Sequence, residues 1–527
     1  MLTKLSLSHY KAFENASVNI RPITILLGAN SVGKSSIIQL FLMLQQTGKA
    51  GLKSYKSALK LYGGYVNLGD AANLFRKKDT SNPVSISFTI SNKNLKSFLN
   101  TEYLDSFIRL FQMLPMFFPI KGFAELREKP FKTKTEFSHY LEAIINVLSK
   151  STLKGDYRKE IGMFIRQRND LPMPQLTREN KGEFLEAYDF LNDFSKKIEN
   201  NVFEVAYELM LNNSNNLEIS KFSVRQGDIL IVEMSRNESF KVNSDIIKIG
   251  EKVDKEIQSF FLPDNTIFNS FLQLDNDGLN SLSLKSSIII QIINVFQNEI
   301  RRQFSEDSIN YVSPLRAHPK RYYMLDKAKV NLTLDTLDGD AITEVLKDNK
   351  QITKSVNQWL KNFGVEVDVQ GFKEVIHHLV VKQNNVDLDI TDVGFGISQI
   401  LPVIIQGFLS SKNSTTIIEQ PEIHLHPKMQ ADLADLFIDI VNNSKGKKLV
   451  IETHSEYLLK RLRRRISEGK ISADKVSICL FNPQTKEKGA TIDNLEIAER
   501  GFFDWPVDFY GGEILKDTTE FLKNQSN

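Results

Sequence analysis

Residues 23–46 read ITILLGANSVGKSSIIQLFLMLQQ: an apolar strand-like run, a glycine-bearing loop and a segment that is apolar on nearly all sides. The loop, Gly28 to Ser35, matches the pattern G-x-x-x-x-G-K-[ST]. This order predicts a phosphate-binding loop, because loop N–H groups and the positive end of the following helix bind anions. An ordinary glycine-rich turn is the alternative, and the flanking strand and helix argue against it.

The motif assigns roles within the loop. Lys34 is expected to reach the β and γ phosphates of ATP, and Ser35 to supply its hydroxyl to Mg²⁺. The glycines leave room for phosphate to approach the backbone. The predicted nucleotide-binding residues of the loop are Gly28, Asn30, Ser31, Gly33, Lys34, Ser35 and Ser36.

Two later strand-like segments end in polar residues. TTIIE ends at Glu419, and KLVIETHS (448–455) carries His454 near its end. A magnesium ion beside a phosphate loop requires a carboxylate to hold its water shell, and Glu419 is predicted to provide it. The turn TDVGFGISQ (391–399) offers backbone donors before another apolar helix.

The order of segments predicts the organisation of the chain. Strands and helices alternate in the C-terminal part, which predicts a parallel sheet with helices on its faces. PVSISFTIS (83–91), LEISKFSV (217–224) and DILIVEMS (228–235) predict an antiparallel β subdomain. We divide the chain into an N-terminal lobe (1–93), a helical insertion (94–216), a β hairpin with a second helical section (217–310) and a C-terminal lobe (311–527).

Together these motifs resemble the ATP-binding-cassette head of the SMC and Rad50 proteins and of the overcoming-lysogenization-defect family. The resemblance implies an α/β fold, an ABC-type P-loop ATPase head with a mixed sheet and an antiparallel β subdomain, interrupted by a helical insertion. It also implies that Thr391 and Gly394 belong to a divergent signature motif, that IIEQPE is the Walker B segment, and that His454 senses the γ phosphate. Asn30 stands where such heads contact that phosphate.

In these heads the signature loop faces a second subunit. One head supplies Walker A and Walker B, so a complete site requires two heads with ATP between them. The resemblance therefore implies a homodimer or a higher oligomer, whose arrangement depends on the bound nucleotide.

A narrower resemblance is carried by EQPEIHLHPKMQ (419–430), THSEYLLKRLRRRI (453–466), SPLRAHPKRYY (313–323) and the ending GFFDWPVDFYGGEI (501–514). These segments resemble a bacterial subgroup of ATPases found in anti-phage defence operons, including the PtuA component of Septu systems. The subgroup implies a sensor or regulatory subunit. OLD-type nucleases carry a long acidic domain after the head, and only a short segment follows His454, so a separate nuclease or toxin effector is expected.

Gln420 occupies the position at which these heads carry a catalytic glutamate. An amide orients water but does not accept its proton. One hypothesis is that Glu422, redirected by Pro421, is the base while Gln420 positions the water, which gives slow hydrolysis. The other is that the protein binds ATP without turnover.

Composition limits the remaining choices. The chain has 527 residues, of which 41% are hydrophobic and 25% charged, as in globular proteins of two or three units. One cysteine, no signal-peptide pattern and no apolar run of the ~20 residues needed to span a bilayer predict a cytoplasmic protein outside the membrane. The net charge of +3 neither requires nor excludes nucleic acid.

Several residues have two interpretations. The basic run KRLRRR (460–465) is either a solvated helix face or a surface for nucleic acid or an acidic partner. Arg316 and Arg321 are either phosphate contacts or members of ordinary ion pairs. His424 and His426 are predicted to serve a turn or a subunit interface, because no further ligand has the spacing of a zinc site.

Two other function classes stay open. One is an SMC/Rad50-like DNA-repair or chromosome-structure head, although the insertion lacks the sustained heptads of a long coiled coil. The other is an ATP-locked structural scaffold without turnover.

Overall fold

The computed structural model describes residues 1–49, 56–92, 103–118, 131–149, 176–198, 200–236, 239–271, 282–305, 308–324, 339–371, 376–485, 488–503 and 512–525, with residues 95, 123, 126 and 160. The chain forms two compact units. The insertion unit lies within 1–2, 52–60 and 80–301, and the core unit within 3–51, 61–79 and 302–527.

The described residues form strands and helices in both units. The strands are β1 Leu2–Tyr10, β2 Phe13–Asn19, β3 Ile23–Gly28, β4 Val84–Ser91, β5 Val202–Leu211, β6 Leu217–Gln226, β7 Ile229–Arg236, β8 Phe240–Asn243, β9 Ile309–Val312, β10 Tyr323–Met324, β11 Val365–Gly371, β12 Ile376–Gln383, β13 Val386–Asp389, β14 Thr415–Glu419, β15 Lys448–Glu452, β16 Val476–Asn482 and β17 Thr491–Leu495. The helices are α1 Lys34–Lys49, α2 Tyr103–Phe117, α3 Lys134–Ser149, α4 Lys181–Lys197, α5 Glu251–Phe260, α6 Leu284–Gln303, α7 Gly339–Asp348, α8 Lys350–Leu360, α9 Phe395–Leu409, α10 Pro427–Asn443, α11 Glu456–Ser467 and α12 Gly512–Gln525.

A six-stranded sheet forms the centre of the core unit, in the order β17-β16-β3-β15-β14-β9. Strands β16, β3, β15, β14 and β9 are parallel, and β17 joins the edge antiparallel to β16. Every residue of β3 and β15 is buried, as expected for a parallel sheet covered on both faces. The predicted parallel sheet is confirmed. Its topology brings the carboxyl ends of β3, β15 and β14 to one edge.

The core unit also contains a small antiparallel sheet, in which β12 pairs with β10, β11 and β13. Apolar side chains of this sheet join the same buried cluster as those of β3 and β15; Val367, Val381, Ile25 and Ile451 are examples. After β13 the chain enters α9, whose segment FGISQILPVIIQGFL is almost wholly apolar. The last strand of the small sheet thus leads through residues 390–394 into α9.

The insertion unit contains an antiparallel sheet in which β4 to β8 pair in sequence order. The predicted antiparallel β subdomain is present. Helices α2, α3 and α4 bring Phe107, Phe111, Phe137 and Phe184 into edge-to-face contact at ring-centroid distances of 5.3 to 5.7 Å. The phenylalanines of this region thus serve a packed interior.

The prediction of helix throughout 94–216 is wrong at its end, where Val202–Leu211 forms β5. Phe203, Val205, Tyr207 and Leu209 are buried and alternate with more exposed residues, which is the period of a strand. Pairing with β4 and β6 outweighs the helical preference of the Glu, Ala and Leu residues in this segment. Residues 161–175 lie outside the described part of the chain, and the domain boundaries stay predictions.

No helix in the described ranges has both the length and the apolar character required to cross a bilayer.

Candidate nucleotide-binding site

The predicted phosphate loop joins β3 to α1, and two of its glycines lack room for a side chain. Gly28 has a φ of +150°, and a Cβ there would lie 2.7 Å from the carbonyl oxygen of Phe481. Gly33 has a φ of +106°, and its Cβ would lie 2.5 Å from Cζ of Phe13. Both positions therefore require glycine for backbone conformation and for space. Asn30, in contrast, is exposed.

Lys34 is the first residue of α1 and is buried, with 3% of its side chain exposed. Its Nζ donates hydrogen bonds to the carbonyl oxygens of Gly28 at 3.0 Å and Ala29 at 2.7 Å. It also lies 3.5 Å from Oε1 of Glu452 at the end of β15. Burial lowers the pKa of Lys34, and the carboxylate of Glu452 opposes the shift. A buried cation is thus held against the loop.

Glu419 lies at the end of β14, opposite Glu452 in the parallel register. The hydroxyl of Tyr311, on β9, donates a hydrogen bond to Oε1 of Glu419 at 2.5 Å. Burial raises the pKa of Glu419 to about 7; the hydrogen bond from Tyr311 opposes this and the charge of Glu452 adds to it. Burial also raises the pKa of Tyr311. Two carboxyl groups therefore share the edge of the sheet beside Lys34.

Gln420 turns the chain away from β14 in a left-handed conformation, with a φ of +45°. Its N–H donates to the carbonyl oxygen of Glu452 at 2.8 Å. Nη2 of Arg316 donates to the carbonyl oxygens of Glu419 at 2.9 Å and Gln420 at 3.2 Å. These bonds stabilise a backbone conformation that costs roughly 1–3 kcal/mol for a residue other than glycine.

Arg316 is 6% exposed, and burial lowers its pKa to about 10. Its Nε and Nη1 donate no hydrogen bond to the described residues. Arg316 therefore binds backbone carbonyl oxygens through Nη2, while Nε and Nη1 are buried donors without a partner among the described residues. Arg321 instead forms an exposed ion pair with Asp392 at 2.9 Å.

Glu422 binds the segment after β15 through both carboxylate oxygens. Oε2 accepts from Oγ1 of Thr453 at 2.9 Å, and Oε1 accepts from the backbone N–H of His454 at 2.7 Å. Burial raises the pKa of Glu422, and the bond from the His454 N–H opposes the shift. These contacts favour a positioning role for Glu422; its assignment as the base stays a prediction.

His454 lies beside this carboxylate at the start of the loop before α11. Its Nε2 is buried and has no hydrogen-bond partner among the described residues. Burial lowers the pKa of His454, and the positive charge of Lys34 lowers it further. The lowered pKa favours a neutral His454 ring, and Nε2, which has no partner among the described residues, is suited to contact a ligand.

The structure brings together most of the predicted site: the loop from Gly28 to Ser36, Glu419, Gln420, Glu422 and His454. Thr391 and Gly394 make no hydrogen bond with this group that the structure shows. The N–H and hydroxyl of Thr391 both donate to Asp389, and Gly394 directly precedes α9. Their predicted contact with the nucleotide of a second subunit stays a prediction.

Sequence reasoning did not single out Glu452 or Tyr311. A signal for Glu452 was present in KLVIETHS, where a carboxylate ends an apolar strand directly before the polar cluster. Tyr311 had no such signal, because its place beside Glu419 depends on the pairing of β9 with β14.

The basic run 460–465 lies on α11, and its charges are largely paired within the chain. Arg461 binds Asp432 at 2.8 Å and Asp435 at 2.6 Å, both on α10. Arg465 also binds Asp435. Within α11 and the residue that follows it, Arg464 and Arg465 both pair with Glu468, and Lys460 pairs with Glu456. Arg461 and Arg465 therefore join α11 to α10, while Lys460 and Arg464 belong to the solvated face that the sequence predicted. A surface for nucleic acid or an acidic partner stays a prediction.

Asp435→Asn is expected to lower the free energy of unfolding by about 1 kcal/mol, or roughly 2–4 °C in Tm, because two arginines lose their shared partner. Thermal unfolding measures the change. Lys460→Ala is the control, since the Lys460 side chain is 60% exposed and its ion pair with Glu456 contributes little. Equal Tm values for Asp435→Asn and the wild type would contradict the structural role.

The residues at this edge of the sheet have the chemistry that Mg·ATP requires. Mg²⁺ is commonly held by one or two carboxylates or hydroxyls together with phosphate oxygens and water, as Glu419 and Ser35 would provide. The buried Lys34 and the polar atoms of Arg316 and His454 that have no hydrogen-bond partner among the described residues would be available to phosphate. Within the described ranges no group of three or more His, Cys, Asp or Glu is arranged as a metal site. Nδ1 of His426 instead accepts from the N–H of Lys428 at the start of α10.

A phosphate loop between a buried parallel strand and a helix, with carboxylates at the ends of the neighbouring strands, defines a P-loop nucleotide-binding protein. The AAA ATPase domain family matches residues 1–459, and the chain belongs to this family. It is therefore an ATPase of the AAA domain type. The comparison with curated proteins gave no match.

Solved structures of SMC heads are similar to the chain. The SMC head domain from Thermotoga maritima aligns with 8% identity and a TM-score of 0.35 over 94% of this chain and 99% of that one. An Smc head bound to the winged-helix domain of ScpA aligns with 8% identity and a TM-score of 0.39, over 94% and 98%. An Smc head domain from Pyrococcus furiosus, with an extended coiled coil and a bound ScpA domain, aligns with 11% identity and a TM-score of 0.33, over 100% and 99%.

Proposed function

We propose that this ATPase binds Mg·ATP, hydrolyses it slowly, and serves as the sensor or regulatory subunit of an anti-phage defence system. The observation that carries the nucleotide part is the buried Lys34, held between the phosphate loop and Glu452. In this proposal Lys34 and Ser35 bind phosphate and metal, Glu419 completes the metal site, Gln420 orients water, and His454 senses the γ phosphate.

The defence role is supported by the sequence segments that resemble the anti-phage subgroup. Three of them contribute to the site: SPLRAHPKRYY supplies Arg316, EQPEIHLHPKMQ supplies Glu422, and THSEYLLKRLRRRI supplies His454. The fourth, GFFDWPVDFYGGEI (501–514), includes residues 504–511, which lie outside the described residues. We further propose that two heads enclose ATP and that a separate nuclease or toxin acts when the arrangement changes.

A phage-plating assay tests this function. The gene, expressed with its flanking genes in a sensitive host, is expected to reduce plaque numbers at least tenfold relative to an empty vector. Glu419→Gln keeps the size of the side chain and its contact with Tyr311, but it removes the charge proposed to hold the metal, so protection is expected to be lost. Unchanged plaque numbers with the wild-type operon would contradict the defence role. Mg²⁺-dependent DNA cleavage by the purified protein alone would contradict a separate nuclease.

A further inference from the structure

Arg316 contacts the turn that follows β14. It comes after β9, the strand that pairs in parallel with one side of β14. Nη2 of Arg316 donates to the carbonyl oxygens of Glu419 at 2.9 Å and Gln420 at 3.2 Å. On the other side of β14, the carbonyl oxygen of Glu452 at the end of β15 accepts from the N–H of Gln420 at 2.8 Å. The main chain of Gln420 is therefore held by residues from both of the strands that flank its own.

This turn has a conformation that residues other than glycine rarely adopt, since Gln420 has a φ of +45°. Such strained residues persist where the surrounding structure enforces them, and they occur preferentially at functional sites. Gln420 is also the residue proposed to orient the attacking water. The enforced turn therefore sets the point from which its amide starts.

Burial of Arg316 is costly for stability. The residue is 6% exposed, and the partners of its Nη2 are carbonyl oxygens, which carry no full charge. Nε and Nη1 are buried and have no partner among the described residues. An apolar side chain of similar size would remove the cost of burying this charge. Stability alone therefore gives no reason for an arginine at this position, which points to a role in the reaction.

We propose that Arg316 is a positioning residue for ATP hydrolysis, which holds the left-handed turn at Gln420 so that its amide meets the attacking water. The inference rests on the proposed function, because it requires turnover. In this role Arg316 acts through the main chain and not through a contact with the nucleotide. Its loss therefore lowers the rate of hydrolysis and leaves the affinity for ATP, which Lys34 and the phosphate loop provide.

Two other roles of Arg316 make different predictions. If it only supports the fold, Arg316→Met lowers Tm and lowers ATP binding and turnover together. If Nε or Nη1 contacts phosphate once ATP is bound, Arg316→Met raises the Kd for ATP. The positioning role predicts a lower kcat at an unchanged Kd. It also predicts rescue by Arg316→Lys, whose ammonium group still donates to a carbonyl oxygen.

The experiment measures phosphate release at saturating Mg·ATP, the Kd of a fluorescent ATP analogue, and Tm. For Arg316→Met we expect a kcat at least about tenfold below the wild type and a Kd within about threefold, because a misplaced group slows the reaction without weakening the phosphate loop. Its Tm is expected to stay within about 3 °C, since removal of a buried charge offsets the loss of two hydrogen bonds. Arg316→Lys is expected to keep kcat within about threefold.

Arg21→Met is the matched control for Arg316→Met. Nη1 of Arg21 also donates to two main-chain carbonyl oxygens, those of Ala473 at 3.3 Å and Val476 at 3.4 Å. Arg21 precedes β3, whereas the phosphate loop follows that strand. Arg21→Met is therefore expected to leave both kcat and the Kd for ATP unchanged.

A double variant tests whether Arg316 acts through Gln420. Gln420→Gly removes the amide, and glycine adopts a left-handed conformation without strain. We expect Gln420→Gly to lower kcat at least about tenfold, and the addition of Arg316→Met to lower it less than about threefold further, because residues that act as a unit are not additive. Effects that multiply in the double variant would contradict the positioning role.

Other outcomes separate this inference from the proposed function. If the wild type releases phosphate and Arg316→Met loses less than tenfold, Arg316 is not a positioning residue and the proposed ATPase function stands. If Arg316→Met loses affinity or Tm together with phosphate release, the phosphate contact or the structural role is correct instead. If the wild type binds ATP without releasing phosphate, slow hydrolysis itself is wrong, and the positioning role is wrong with it.

Discussion

Lys34→Met is expected to weaken ATP binding strongly and to destabilise the fold as well. Loss of the charged contact to phosphate is expected to raise the Kd for ATP on the order of 100-fold. The same change leaves the buried carboxylate of Glu452 without its cation, and breaking a buried pair in this way costs about 3–5 kcal/mol. Titration with a fluorescent ATP analogue and thermal unfolding measure the two effects.

A double variant separates these two contributions. Lys34→Met combined with Glu452→Gln removes both charges, so Tm is expected to return towards the wild-type value while ATP binding stays weak. Lys49→Met, at the exposed end of the same helix, is the control and is expected to change neither quantity. A single variant Lys34→Met with wild-type Tm would show that the pair does not contribute to stability.

Gly28→Ala is expected to have the second large effect, because it disturbs the phosphate loop and the sheet together. An alanine would have to adopt a φ of +150° with its Cβ 2.7 Å from the carbonyl oxygen of Phe481, which belongs to β16. Strain of this kind costs about 1–3 kcal/mol before any displacement of the strands, so Tm is expected to fall on the order of 5–10 °C.

Gly64→Ala is the matched control for this substitution. A Cβ at Gly64 has no atom within 4 Å, and the backbone there is not left-handed, so Tm is expected to stay within about 1 °C of the wild type. ATP affinity is expected to fall at least about tenfold for Gly28→Ala and to stay unchanged for Gly64→Ala. Wild-type affinity in Gly28→Ala would show that the loop tolerates a side chain at this position.

The parts of the site that are contiguous in sequence were predictable. The phosphate-loop motif spans eight consecutive residues between a strand and a helix, and its two glycines allow the backbone conformation that the loop requires. Glu419 and His454 were also identifiable, because each lies at or just beyond the end of an apolar strand. The parallel sheet followed from the alternation of strands with helices.

The remaining features depend on contacts between distant segments. The pairing of Lys34 with Glu452 exists only because β15 lies next to β3, an order that no local pattern encodes. The strand β5 was predicted as helix, since its sequence satisfies both periods and only the neighbouring strands decide between them. The ion pairs of Arg461 and Arg465 with Asp432 and Asp435 likewise could not be predicted, because they depend on α10 lying beside α11.

The hydrogen bonds of Gln420 and Glu422 have a mechanical consequence. The N–H of Gln420, just after β14, donates to the carbonyl oxygen of Glu452, and Glu422 accepts from the N–H of His454, so the ends of β14 and β15 are joined by two hydrogen bonds. Ser455 follows directly, where its Oγ donates to Gln430 of α10 and accepts from the N–H of Leu458 in α11. A displacement of the strand end that carries Glu419 is therefore expected to reach α10 and α11 through these hydrogen bonds.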